Sequence, residues 1–338
     1  MRRSNLDKPG ITRRRRGRGW SFHRPDGTAV DAATRERISH LAIPPAWRDV
    51  WISPYPDGHI QAVGTDDAGR RQYLYHERWK LERDEAKHDR VLHLARRLPE
   101  VRATIEAGLR ASGLGRERVL ATGLRMLDYG VFRVGGEEYA QEHGTHGVAT
   151  LERRHVQVHG GEVAFEFVAK GGIERVVSLP DPLLSKAVSS LQRSRSGLER
   201  LLVWRDRRGY HEVHADDLNE RFKELAGGDF TVKDLRTWQA TVVAAVELAQ
   251  IELPPRGRRT AVQHAERQAM EGVAEHLGNT PTVARSSYVN PKVIEKFEDE
   301  STIEPALDRI GVEQVADLAD PDTRMAVERA VIRLLTRR

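Results

Sequence analysis

Hydrophobic and polar positions alternate through the first quarter of the chain and then change to steps of three and four residues. Between residues 20 and 79 the apolar runs are short and broken by turn signals, RPDGT, IPPAW, SPYPDG and TDDAG. VWIS and HIQAVG within them therefore read as short antiparallel strands. One helix is expected over residues 31–41, and the charged stretch 80–90 reads as a linker or linking helix. Helical periodicity then runs through 91–98, 99–112 and 116–130, punctuated by Pro99, Gly113 and Gly115. In HVQVHGGEVAFEFVAKGGIERVVSLP the alternation returns around two GG turns, which predicts a three-stranded antiparallel sheet with Lys170 at the tip of its second hairpin. Helices are expected again at 182–194, 215–226, 232–250 and 260–277, the last stopped by Gly278. IELPPRGRR, before the last of these, reads as a flexible loop. The acidic tail after Phe297 should close in a short helix near residues 325–335.

This order of elements defines an α+β protein. A flexible basic arm (1–19) precedes a small, mainly β N-terminal domain (20–85). A larger, mainly α domain (86–338) follows and contains the small three-stranded sheet.

Composition narrows the class. The 338 residues are 39% hydrophobic, enough for ordinary cores. No apolar run approaches the length of a membrane span, and no secretory leader pattern is present, so an intracellular protein is expected. The absence of cysteine excludes disulfides, thiolate chemistry and cysteine-bound zinc. Net charge is +5, but residues 1–80 hold 16 Lys and Arg against 9 Asp and Glu. The N-terminal part is thus the expected polyanion-binding face, with Arg13, Arg14, Arg15 and Arg16 in its arm. GRRQYLYHERWK interleaves basic and aromatic side chains, which suits a duplex groove and would equally suit an amphipathic core helix.

Candidate chemistry gathers around Tyr288, in EHLGNTPTVARSSYVNP. Three cations stand beside turns or helix starts: Arg133 in YGVFRVGGEEY, Lys170 in FVAKGG, and Arg236 in TVKDLRTW. Arg236 falls in the first turn of its helix, where backbone N–H groups favour an anion. Two guanidiniums, one ammonium and one phenol form a phosphoryl-transfer set. His143, His146, His155 and His159 invite a metal reading, but they have no cysteine and no clear carboxylate partner, so no metal site is assigned.

The order Arg133, Lys170, Arg236, Tyr288, with KDLRTW and SSYVNP around the last two, resembles the type IB DNA topoisomerases, in particular their compact poxvirus-like and bacterial branch. IPPAW, GRRQYLYH, RVGGEEY with its following TL pair, and KGG extend the resemblance over roughly residues 20–300. It implies a monomer that clamps double-stranded DNA, with Tyr288 as the nucleophile that forms a 3′-phosphotyrosyl link. Arg133 and Arg236 would hold the non-bridging oxygens, and Lys170 would protonate the departing 5′-oxygen. Strand swivelling and religation would follow, with no cofactor, neither ATP nor metal. Arg70, Arg71, Gln72, Tyr73 and Tyr75 match the family's DNA-contacting segment. Asn279 departs from the family's usual histidine nine residues before the tyrosine. An amide can still donate to a phosphate oxygen but cannot shuttle a proton, and His276, a turn earlier, is a possible substitute. A cytoplasmic, nucleoid-associated location is expected. The rival readings are a tyrosine recombinase, which usually has histidine where Lys233 stands, and a non-enzymatic DNA-binding protein with an inert Tyr288.

Overall fold

A computed structural model describes residues 1–252 and 258–337; most of the loop expected at IELPPRGRR lies outside the described residues. The chain divides into two compact units, Met1–His88 and Asp89–Arg338, with the division inside one long helix.

The first unit is a five-stranded antiparallel sheet built from β1 (Ile11–Arg16), β2 (Gly19–His23), β3 (Arg48–Ile52), β4 (Ile60–Thr65) and β5 (Arg71–Tyr75), in the order β2-β1-β3-β4-β5. Helix α1 (Ala32–His40) begins at Asp31, whose carboxylate accepts from the Thr34 N–H at 2.8 Å. Register places Ile11, Ile52, Ala62 and Leu74 in one row across the sheet, and Ile38 of α1 belongs to the same core.

The arginine run is not a mobile arm. Arg13 to Arg16 pair with Phe22, Ser21, Trp20 and Gly19, and the alternation Ile11-in, Thr12-out that fixes them is the period of a strand. The sheet therefore starts at residue 11, ahead of the expected residue 20. Arg13 points inward: its Nη2 donates to the carbonyls of Pro44 at 2.9 Å and Trp47 at 2.6 Å, while the guanidinium lies 4.1 Å from the Trp20 ring.

Helix α2 (Glu77–Arg110) runs through both the charged stretch and Pro99 without a break. Apolar Leu94, Leu98, Val101 and Ile105 are all buried, so packing outweighs the lost backbone donor at Pro99. The rest of the second unit comprises α3 (Arg116–Asp128), α4 (Glu137–His143), the sheet β6 (Val156–His159), β7 (Glu162–Ala169) and β8 (Ile173–Pro180), α5 (Pro182–Gln192), and a hairpin of β9 (Val203–Asp206) and β10 (Gly209–Glu212). Then come α6 (Ala215–Ala226), α7 (Val232–Ala249), α8 (Arg258–Leu277), α9 (Pro281–Ser287), α10 (Pro291–Glu298), α11 (Glu304–Ile310) and α12 (Pro321–Thr336). The α+β class holds, and the three-stranded sheet has the expected strands and GG turns.

The C-terminal segment is more than an acidic tail. Val327, Val331 and Leu334 of α12 join the main core, and Arg324 and Glu328 are 1% and 4% exposed. They complete a buried ionic network: Arg102 forks onto Asp128 and Glu328, and Arg324 reaches Asp128 at 2.9 Å. Gln239 of α7 adds a bond to the Asp128 carbonyl. This network holds the end of α3 in place, and the next residues lead into the candidate site.

Candidate active site

Arg133 follows α3 through Gly130, whose φ of +78° bends the chain. Phe132 anchors the bend, stacked on Phe167 and edge-on to Phe165. The 147–149 segment then locks the Arg133 backbone, with Val148 N–H donating to the Arg133 carbonyl at 2.9 Å and Ala149 N–H to that of Val134 at 2.7 Å. Gly135 and Gly147 make this crossing possible: a Cβ on Gly147 would sit 2.5 Å from the Gly135 nitrogen. The glycines of RVGG and HGTHG are thus two halves of one backbone contact, a pairing the sequence pattern left unread.

Tyr288 lies between two short helices. Thr280 caps α9, Pro281 starts it, and the Tyr288 N–H closes it on Ala284 O at 3.1 Å; Asn290 and Pro291 open α10 two residues later. The SSYVNP motif is therefore a helix stop followed at once by a helix start, with little freedom for the tyrosine between them. The residue is 5% exposed.

Arg133 Nη1 donates to the Tyr288 hydroxyl at 3.3 Å, and Nη2 donates to the Asn279 amide oxygen. The Arg236 guanidinium carbon is 5.5 Å from the Tyr288 ring centroid. Burial alone would push the phenol's pKa up, but the positive charges of Arg133 and then Arg236 outweigh it, and the net shift is downward.

Arg236 stands in the second turn of α7, not the first, and it faces carbonyls. Nη1 donates to Gly130 O at 2.7 Å and Phe132 O at 3.0 Å, and Nη2 to Leu277 O at 2.8 Å. Desolvation, then the charge of Arg133, lowers its pKa to about 10, which leaves it protonated at neutral pH. The start of α7 is fixed by Asp234, which accepts from the Thr231 N–H at 2.9 Å and pairs with Arg90 at 2.7 Å.

Lys170 occupies the β7–β8 turn, where Gly171 and Gly172 have φ of +87° and +75°. It lines the same cleft, of about 510 Å³, as Arg133, Arg236 and Tyr288, together with Lys233, Thr145 and His146. No carboxylate lines this cleft among the described residues. Asn279 contributes through Arg133, and its Nδ2 is buried without a hydrogen-bond partner. His276 turns elsewhere: its Nε2 donates to Tyr129 O at 3.3 Å, and it lines a separate cavity behind the site. It does not stand in for Asn279. Among the described residues, no cluster of histidines and carboxylates is suited to a metal.

In the first unit, Arg71, Tyr73 and Tyr75 alternate outward along β5, with the two tyrosine rings stacked at 6.1 Å. Gln72 points to the opposite face, and its amide and the Arg70 guanidinium both hold Asp66. Arg14, Arg15 and Arg16 are exposed on β1. The segment expected to contact DNA as a block is thus divided by the pleat into three outward side chains and a tethered pair.

A phenol held among fixed cations on a mostly helical frame carries what phosphoryl transfer needs, a nucleophile and positive charge that requires no rearrangement. The family comparison agrees in class. Residues 76–310 match the family described as eukaryotic DNA topoisomerase I, catalytic core, and the chain belongs to that family; it is a DNA topoisomerase of type IB, an isomerase. Residues 19–66 match the bacterial DNA topoisomerase IB, N-terminal domain. Among curated relatives, DNA topoisomerase 1B of Acanthamoeba polyphaga mimivirus is 28% identical over 297 residues, covering 86% of this chain and 88% of the relative. DNA topoisomerase I of Monkeypox virus and DNA topoisomerase 1B of Vaccinia virus (strain Copenhagen) are each 22% identical, covering 81% of this chain and 85% of the relative. No helix among the described residues is long and apolar enough to cross a membrane.

Proposed function

We propose that this chain relaxes supercoiled duplex DNA by transient cleavage of one strand, with Tyr288 as nucleophile. The Tyr288 oxygen attacks a backbone phosphorus, a P–O bond to the phenol forms, and the P–O5′ bond breaks. The phenol's proton passes to water, and Lys170 supplies a proton to the departing 5′-oxygen. A 3′-phosphotyrosyl enzyme and a free 5′-hydroxyl strand result. After the free strand turns about the intact one, the 5′-hydroxyl attacks in reverse and the phenol leaves. The phosphodiester energy is retained in the covalent link, so religation needs no nucleotide.

The observation that carries this reading is the Arg133–Tyr288 hydrogen bond, beside Arg236, in a cationic cleft shared with Lys170. Fixed cations match the charge that grows on the phosphorane-like transition state, and one such donor is worth about 10²–10³-fold in rate. General-acid assistance by Lys170 adds about 10²–10⁴-fold. The free Nδ2 of Asn279 supports a further donor to a non-bridging oxygen. In the first unit, the exposed face of Arg71, Tyr73 and Tyr75 serves DNA contact, with Arg14 to Arg16 as phosphate ligands. The protein acts as a monomer on DNA in the cytoplasm.

Plasmid relaxation in EDTA without ATP tests the reading. The wild type should relax supercoils of either sign, and Tyr288→Phe should bind DNA yet relax none. Relaxation by a clean Tyr288→Phe preparation contradicts it.

A further inference from the structure

The α8 C-terminus ends at the site, and its last carbonyls would ordinarily lack partners. The Asn279 N–H takes the Ala274 carbonyl at 2.9 Å, and two arginines take the last three, the one on Glu275 being shared with the Gly278 N–H at 3.3 Å. Arg236 holds Leu277 O, as described; Arg175 Nη1 donates to Glu275 O at 2.8 Å and Nη2 to His276 O at 2.9 Å. Cations at this end also meet the negative pole of the helix. Gly278 then turns the chain at φ +64°, and a Cβ there would come within 3.1 Å of the Arg175 guanidinium. Glycine therefore serves both the turn and the close approach of Arg175.

Arg175 is not part of α8's own surroundings by sequence. It sits on β8, five residues after Lys170, opposite Phe167 of β7. The hairpin that carries Lys170 is held on its other side by His146 N–H donating to Val168 O at 2.7 Å, and by Phe167 stacked on Phe132. The stack ties it to the segment bearing Arg133, and the His146 bond to the stretch of chain that locks the Arg133 carbonyl. Arg175 ties it to the helix end that bears Asn279 and receives Arg236.

We propose that Arg175 is a positioning residue for Lys170: its clamp on the α8 C-terminus sets the distance of the hairpin turn from the arginine–tyrosine cluster, and so sets proton delivery to the departing 5′-oxygen. The inference rests on the general-acid reading of Lys170. A lysine at position 175 keeps the charge but not the planar fork that spans two successive carbonyls.

The test is single-turnover cleavage of two substrates, one with the ordinary 5′-oxygen and one with sulfur in its place, whose thiolate leaves without a proton. Lys170→Ala, Arg175→Ala, Arg175→Lys and the Lys170→Ala/Arg175→Ala double variant are compared, with thermal unfolding recorded for each. Arg175→Ala should slow cleavage of the oxygen substrate by about 10- to 100-fold, a fraction of the full general-acid effect. It should cleave the sulfur substrate within a few-fold of wild type, and add little to the loss already present in Lys170→Ala. Equal losses on both substrates, additive losses in the double variant, or no loss at all overturns the inference. If Arg175→Ala does not fold, Arg175→Lys decides by the same comparison. Should Lys170→Ala itself gain nothing from sulfur, the general-acid reading falls and the inference with it. Rescue of Lys170→Ala without rescue of Arg175→Ala removes the inference alone.

Discussion

Arg133 Nη1 donates to the Tyr288 hydroxyl at 3.3 Å, across 155 positions of sequence, while its Nη2 holds Asn279. One rigid fork thereby orients both the nucleophile and the neighbouring amide. Arg133→Lys keeps a charge but loses one of the two bonds, so cleavage should fall by about 10²–10³-fold. Arg133→Ala also removes the leading influence that lowers the phenol's pKa. The pH–rate profile for cleavage should then shift to higher pH, and an unshifted profile contradicts the coupling.

Asn279 offers a buried amide donor with no partner in the protein. Asn279→Ala should lower the cleavage rate by about 10- to 100-fold, the range for loss of a donor to charge. Asn279→His should retain most of the rate, because its ring N–H can replace the amide. DNA affinity measured with Tyr288→Phe added should be nearly unchanged. A loss of affinity equal to the loss of rate would assign Asn279 to binding instead.

Half-buried His276 and buried Asp128 both act on the acid side of the stability profile, in separate windows. Burial holds His276 neutral and depresses its pKa from 6.5 to about 4. The unfolded chain binds the proton first, so stability is lost as pH falls from about 6.5 to about 4, by up to about 3 kcal/mol. Asp128 is pushed up by burial, but Arg102 and Arg324 prevail and hold it at about 2. Its contribution is present above the ordinary carboxylate pKa and is lost as pH falls through about 2. Unfolding midpoints of the wild type and His276→Gln should converge between pH 6.5 and 4; parallel curves contradict the assignment.

The buried network should matter to catalysis as well as stability. Asp128→Asn or Glu328→Gln leaves arginine charge uncompensated and should cost about 3–5 kcal/mol. Gly130 O, two residues past Asp128, accepts from Arg236, so each variant should also slow cleavage below its own unfolding temperature. Full cleavage by a destabilised but folded Asp128→Asn would show that α12 supports the fold alone.

Local patterns were the legible part of this chain. The GG turns fixed the β6–β8 hairpins and put Lys170 in a turn, and the helix expected at 232–250 is α7, Val232–Ala249. Features set by distant partners were not. Arg13 reads as a solvated tail residue until Trp20 and the Trp47 carbonyl are beside it. Pro99 reads as a helix stop because the burial that overrides it comes from elsewhere in the fold. Arg324 and Glu328 look like surface charges, since Arg102 and Asp128 lie about two hundred positions away. The motif around Tyr288 was recognisable by resemblance, but the carbonyl cage of Arg236 and the turning away of His276 depend on the folded backbone.

The central claim is that Tyr288 becomes joined to DNA through a 3′-phosphate. It is tested most directly by trapping the enzyme on a nicked duplex in EDTA, digesting the adduct with trypsin, and sequencing the peptide left on the DNA. The account predicts a single peptide carrying the label at Tyr288, on the 3′ end, and no adduct with Tyr288→Phe. An adduct on a 5′ end, at another residue, or surviving in Tyr288→Phe contradicts it.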